Sequence, residues 1–388
     1  MHLSNRLRRW LGAALALGLV AALISACGSN STTSTPTKTP ATTAPATSSI
    51  PQTGVGLTEP TTGTGTKVSG GTITFAEFPG SPPNYIMPLY SAKYCGTNNI
   101  DMLNFLLYRP LYWYGNNYDP TVDYNDSIGQ KPVYTNGGKT VVIHLNHYMW
   151  SNGEQVTARD LVFWMNVLKA NPAAEWCGYV PKKFPDNVTS YKAVNTTTFE
   201  MTMNAVYNPT WIQYNVLSQL TPMPLAWDKT SMSGATPSAT ATNAPDMTKS
   251  GAAAVYAFLN TQGAKIATWG TSPLWSVVDG PWKVQSTTSN GGVTFVPNPK
   301  YSGPTKPSID KFVEIPFTSE SAMVDQIKDQ GPNGMNVAFI PAQYAPLTSQ
   351  FENQGYDVNK ASSYSVNFFP LNLNNPTMGP IFRQLYFR

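Results

Sequence analysis

The chain has 388 residues, 41% apolar and only 12% charged, with a formal net charge of +4. Aromatic residues reach 12%, which excludes a globally disordered chain, because such chains are poor in them. Three positive charges, Arg6, Arg8 and Arg9, fall in the first ten residues, and the remainder is near neutral. That excludes a nucleic-acid binder, whose affinity rests on many Lys and Arg contacts to phosphate.

The first 27 residues read as a secretory leader. A basic stretch precedes an uncharged apolar run from Trp10 to Ile24, and small residues Ser25 and Ala26 lead to Cys27. The apolar run is shorter than the roughly 20 residues that cross a bilayer. Ile24-Ser25-Ala26-Cys27 resembles a bacterial lipobox, which implies cleavage after residue 26 and lipidation of Cys27. Acyl chains contribute about 0.8 kcal/mol per buried methylene, so a multiply acylated Cys anchors a protein without a membrane-spanning helix. Residues 28–70 hold 20 Ser/Thr and 5 Pro, with Lys38, Glu59 and Lys67 as their only charges. Too little apolar surface is available there to offset chain entropy, and the segment reads as a tether of roughly 35 Å r.m.s. span.

Strand signals begin at Thr72-Ile73-Thr74-Phe75-Ala76, followed by a turn-rich stretch, Pro79 to Asn84. Ile100 to Leu107 reads as a short helix. A strong strand, Lys139 to Leu145, follows the turn Thr135-Asn136-Gly137-Gly138. Thr157 is suited to cap a helix from Ala158 to about Lys169, with Asp160 completing a capping-box-like pair. Leu161, Trp164, Met165 and Leu168 then share its apolar face. Another β-run, Thr198 to Met203, precedes the segment Pro209 to Leu220, and the polar residues 231–250 read as a surface excursion.

The segment TVVIHLNHYMWSNGEQVTARDLVFWMN, residues 140–166, resembles the hallmark of the family 5 extracellular solute-binding proteins of peptide/nickel ABC transporters. Gly280-Pro281-Trp282-Lys283-Val284 is similar to the family's G-P/A-Y-x-V strand. Pro297-Asn298-Pro299-Lys300-Tyr301 is similar to its N-P-x-Y-W motif, with Ser302 where Trp is usual. Ile309 to Val313 and the hinge-like strand Val366 to Asn374 complete five motifs in family order.

The resemblance implies an α/β fold, a periplasmic-binding-protein-like (type II) lobe with mixed sheets and a small inserted α/β subdomain. Its implied organisation is a signal peptide over 1–26, an anchor and linker over 27–70, and lobe I over 71–105 and 215–375. The inserted subdomain would span 106–214, and 376–388 would begin a second lobe that is largely absent, so a C-terminally truncated sequence is expected. Function by resemblance is extracytoplasmic capture of a solute, an oligopeptide or dipeptide by family habit, and delivery to an ABC permease by closure of two lobes. A non-transport receptor or envelope interaction protein on the same fold is the alternative.

Catalytic signals are weak. His144 and His147 point to opposite faces while the strand persists, and neither a third metal ligand, a G-x-S-x-G elbow nor a phosphate loop accompanies them. No enzyme, cofactor or metal is therefore expected. The resemblance places ligand contacts at Ser81, Pro82, Pro83 and Asn84, at Trp176 and Tyr179, and at the hinge residues Asn367, Phe368 and Phe369. Pro82 and Pro83 lack N–H donors, which weakens pairing with a peptide backbone there. Cys95 and Cys177 are an even pair in an exported chain, and a disulfide between them is expected.

Overall fold

The computed structural model describes residues 69–114, 121–171, 176–359, 372 and 374–381, all within one unit, Gly54–Arg388. Ten strands occur among them: β1 Thr72–Ala76, β2 Trp113–Tyr114, β3 Val122–Asp123, β4 Val133–Thr135, β5 Thr140–His144, β6 Val188–Asn195, β7 Thr198–Met203, β8 Trp282–Thr287, β9 Val293–Pro297 and β10 Lys311–Ile315. The five α-helices longer than one turn among them are α1 Ala158–Ala170, α2 Pro209–Asn215, α3 Lys249–Gly263, α4 Glu320–Gln330 and α5 Thr348–Asn353. An irregular helical segment with a π-turn centre fills residues 97–107.

Two four-stranded sheets organise the chain. The first has the order β1-β10-β9-β8, with β1 parallel to β10 and the other pairs antiparallel. It joins the chain's first described strand to one more than two hundred residues later, so the segment between closes on itself as an insertion. The second, β4-β5-β7-β6, is wholly antiparallel and lies inside that insertion. This is the mixed α/β, periplasmic-binding-protein-like architecture that the motifs imply.

Helix α1 forms where expected. The Asp160 carboxylate accepts from the Thr157 N–H at 2.7 Å and its hydroxyl at 3.1 Å, which ties the start of the helix. Leu161, Trp164, Met165 and Leu168 are all buried, and the helix packs on β6, β7 and α3. Trp150 and Phe163 belong to the same core, at 1% and 0% exposure. A smaller core gathers Phe317, Met323, Val324, Ile327, Met335 and Phe351 around α4 and α5.

Residues 231–250 depart from a plain surface excursion at their end. Asp246 is buried and takes a bidentate contact from Arg159 of α1, with Nη1 at 2.8 Å and Nη2 at 2.5 Å. A buried charge needs a partner, so the excursion returns to the body at that point. No helix among the described residues is long and apolar enough to cross a membrane.

Candidate functional site

Cys95 and Cys177 form a disulfide across 82 residues, with Cα atoms 6.0 Å apart. The Cys177 N–H also donates to the Tyr90 carbonyl at 2.7 Å, so the two loops are held by a covalent and a polar link. Trp176 lies beside this bridge, its ring edge-on to Phe184 at 5.5 Å, and Phe184 in turn stacks on Trp164 of α1 at 6.2 Å. The Trp176 ring folds over Gly178, where an added Cβ would sit 2.5 Å from it. Any larger residue at 178 would displace the indole.

These groups wall a cavity of about 260 Å³, which Tyr90, Phe105, Tyr108, Trp164 and Trp176 surround with aromatic surface. Asn104, Ser218, Gln219 and Thr221 add neutral polar groups, and no charged side chain among the described residues lines it. Aromatic walls with a few polar groups are the usual makeup of a small-ligand site. Burial pushes the Tyr90 and Tyr108 hydroxyls well above the ordinary tyrosine range, so both stay protonated.

The family model for bacterial extracellular solute-binding proteins, family 5, matches residues 130–388, about two thirds of the sequence. The chain belongs to that family. No curated protein matches it. Among solved structures, the family 5 chain is similar to the ABC transporter substrate-binding protein CtaP of Listeria monocytogenes, at 16% identity and a TM-score of 0.50, over 74% of this chain and 47% of that one. It is similar to the periplasmic EDTA-binding protein EppA at 14% identity and TM-score 0.57, covering 77% and 49%. The oligopeptide-binding protein AppA of Bacillus subtilis, solved with a nonapeptide, matches at 14% identity and TM-score 0.52, covering 74% and 47%. These likenesses show the fold, and the chain spans about half the length of each.

The expected ligand contacts of this family 5 chain separate in space. Ser81, Pro82, Pro83 and Asn84 line a second cavity of about 280 Å³, together with Asn98, Ile266 and residues 289–291. Asn99 holds this turn: its Oδ1 accepts from the Asn84 and Tyr85 N–H groups at 2.8 and 3.0 Å, and its Nδ2 donates to Asn84 Oδ1 at 2.9 Å. Asn84 thus gives its N–H and its Oδ1 to Asn99, while the residue stays exposed. Gly291, at φ +101°, lets its loop approach Pro82, where a Cβ would lie 2.4 Å from the proline's own. Tyr179 lines neither cavity; its hydroxyl donates to Asp186 Oδ2 at 3.0 Å. Asn367, Phe368 and Phe369 lie outside the described residues, as does Cys27.

Tyr90, Phe105, Tyr108 and Trp164 escaped the sequence reading as cavity residues. Their only local signal was aromatic density, which a core produces equally well. His144 accepts or donates at Thr198 Oγ1, 3.1 Å away, and no group of three His, Cys, Asp or Glu among the described residues could hold a metal ion.

Proposed function

We propose that this chain captures a solute outside the cytoplasm and presents it to an ABC import permease. The observation that carries the reading is the uncharged aromatic cavity fixed by the Cys95–Cys177 bridge, with Trp176 at its wall. An oligopeptide or dipeptide is the favoured solute class, and the oligopeptide complex of the Bacillus subtilis relative supports it. Capture proceeds by hinge closure of two lobes over the solute, and the closed form docks on the permease. In this organisation residues 71–105 and 215–375 make lobe I, and 106–214 make the inserted subdomain. The site so proposed is Trp176 with the aromatic wall around it, and the family resemblance adds the 81–84 turn and Asn367, Phe368 and Phe369 as further candidate contacts.

Cys27, lipidated after removal of the leader, would hold the body at the membrane through the tether. Cys27→Ser is then expected to move the protein from the membrane fraction to the soluble fraction.

The solute reading is tested by a thermal-shift screen of the protein against di- to nonapeptides and neutral sugars at millimolar concentration. A stabilising solute whose effect is lost in Trp176→Ala is the expected result. Stabilisation that is the same in Trp176→Ala and wild type would place the site elsewhere.

A further inference from the structure

The two cavities share one wall segment. Residues 94–104 carry Cys95, Ile100 and Asn104 into the first cavity and Asn98 into the second. Between those positions sits Asn99, 1% exposed, its carboxamide bonded to the chain that follows β1. Asn99 uses its whole hydrogen-bonding capacity. Oδ1 accepts from the Asn84 and Tyr85 N–H groups, and Nδ2 donates to Asn84 Oδ1 and to the Tyr94 carbonyl, both at 2.9 Å. Two lone pairs and two N–H groups are all that a carboxamide offers.

The bonds run on from Asn99 toward both cavities. Its main-chain carbonyl accepts from Asn104 Nδ2 at 2.7 Å, in the wall of the first. Beside it, Asn98 Nδ2 donates to the Pro82 carbonyl at 2.8 Å, in the wall of the second. Tyr94, whose carbonyl Asn99 holds, stacks on Tyr85 with ring centres 4.1 Å apart and planes 9° from parallel. Tyr94 precedes Cys95, and the disulfide passes the connection to Cys177 and its neighbour Trp176.

Position 99 is chemically exacting. Aspartate would keep the two acceptors and lose both donors, and an aliphatic residue would strip the Asn84 and Tyr85 N–H groups of their partner. Holding the turn alone needs only the acceptors. The donor bond to Tyr94 is the part that reaches the bridged side. We propose that Asn99 is a positioning residue for solute capture: it fixes the 81–84 turn and the bridged wall of the aromatic cavity in one frame, so that a change at either is felt at the other. Its purpose rests on the solute reading above, while its mechanics stand on the hydrogen bonds alone. Coupling of this kind is reciprocal, and each end reports on the other.

The test uses the full chain without solute, in both directions. From the turn side, Asn98→Ala removes the bond to Pro82 at a partly exposed position and should shift the Trp176 indole resonance. Asn99→Ala should shift it further. From the other side, reduction of the bridge with dithiothreitol should raise hydrogen exchange of the Asn84 and Tyr85 amides. The expected rise is about fivefold relative to Val255 and Leu259 of α3, the size of one weakened buried hydrogen bond. Ser319→Ala, which removes the cap of α4, should move neither readout. A purely stabilising Asn99 predicts a uniform rise at all amides and an unmoved indole. A Trp176 resonance unmoved in Asn98→Ala, or exchange at Asn84 and Tyr85 that rises no more than in α3, would overturn the proposal. If no peptide or sugar stabilises the wild type, the solute reading fails by itself, and these two readouts still decide the frame.

Discussion

The Trp150 indole Nε1 donates to Asp160 Oδ2 across 3.3 Å, joining the turn after β5 to the first turn of α1. The same oxygen accepts from the Thr157 N–H and hydroxyl, so one carboxylate ties three residues of the family hallmark segment. Burial lifts Asp160 to about 7, against the pull of these hydrogen bonds toward the charged form. The hallmark residues Trp150, Thr157 and Asp160 are therefore read as architecture that orients α1, and α1 supplies Trp164 to the aromatic cavity.

Trp150→Ala should destabilise the protein by about 3–5 kcal/mol, the usual cost of cutting a buried Trp to Ala. Chemical denaturation followed by circular dichroism measures it. A loss under about 1 kcal/mol would remove Trp150 from the core and weaken the account of the hallmark segment.

The first sheet contains a carboxyl pair without a cationic partner among its hydrogen bonds. Glu77, just after β1, is fully buried with neither carboxyl oxygen bonded, and Glu314 of β10 is buried with one oxygen unbonded. Burial pushes Glu77 up to about 8, and burial followed by the nearness of Glu77 pushes Glu314 well above the carboxylate range. A raised acid pKa means that the folded state holds the proton more tightly. The stabilising contribution is complete below pH 4.5 and is lost as pH rises toward and through about 8. The melting temperature should accordingly fall between pH 5 and pH 9, and Glu77→Gln, which cannot ionise, should flatten that fall. A wild-type profile no steeper than that of the variant would contradict this.

Closing 82 residues with a disulfide contributes about 4 kcal/mol in the chain-entropy model. The double replacement Cys95→Ser and Cys177→Ser should lower stability by an amount of that order, less any residual structure in the unfolded chain. It should also loosen Trp176, which rides on the Cys177 loop. Urea denaturation of the double variant measures the first effect. A midpoint unchanged from the oxidised protein would show that the bridge constrains nothing.

Much of this was legible in the residues. The capping pair Thr157 and Asp160 placed α1 within one residue at its end, and alternation placed β1, β5 and β7. The pair Cys95 and Cys177 followed from compartment and parity alone. Two helices were missed although their caps were present: the Thr248 hydroxyl accepts from the Gly251 N–H, and Ser319 accepts from the Ala322 N–H. The Arg159–Asp246 pair and the buried Glu77 were beyond local reading, because their meaning lies in partners 87 and more residues away, or in the lack of any. The structural hydrogen bonds of Asn84 and Tyr179 were illegible for a similar reason. Asn99 bonds Asn84 Oδ1 and Asp186 bonds the Tyr179 hydroxyl, and neither pairing shows in composition or spacing.

The central claim is that solute enters the cavity beside the Cys95–Cys177 bridge. The most direct measurement is a nitrogen–proton correlation spectrum of the indole groups in protein labelled at tryptophan, with assignments from Trp164→Phe and Trp176→Phe. Addition of a stabilising solute from the screen should shift the Trp164 and Trp176 resonances. Shifts confined to other tryptophans, with Trp164 and Trp176 unchanged at saturating solute, would contradict the account.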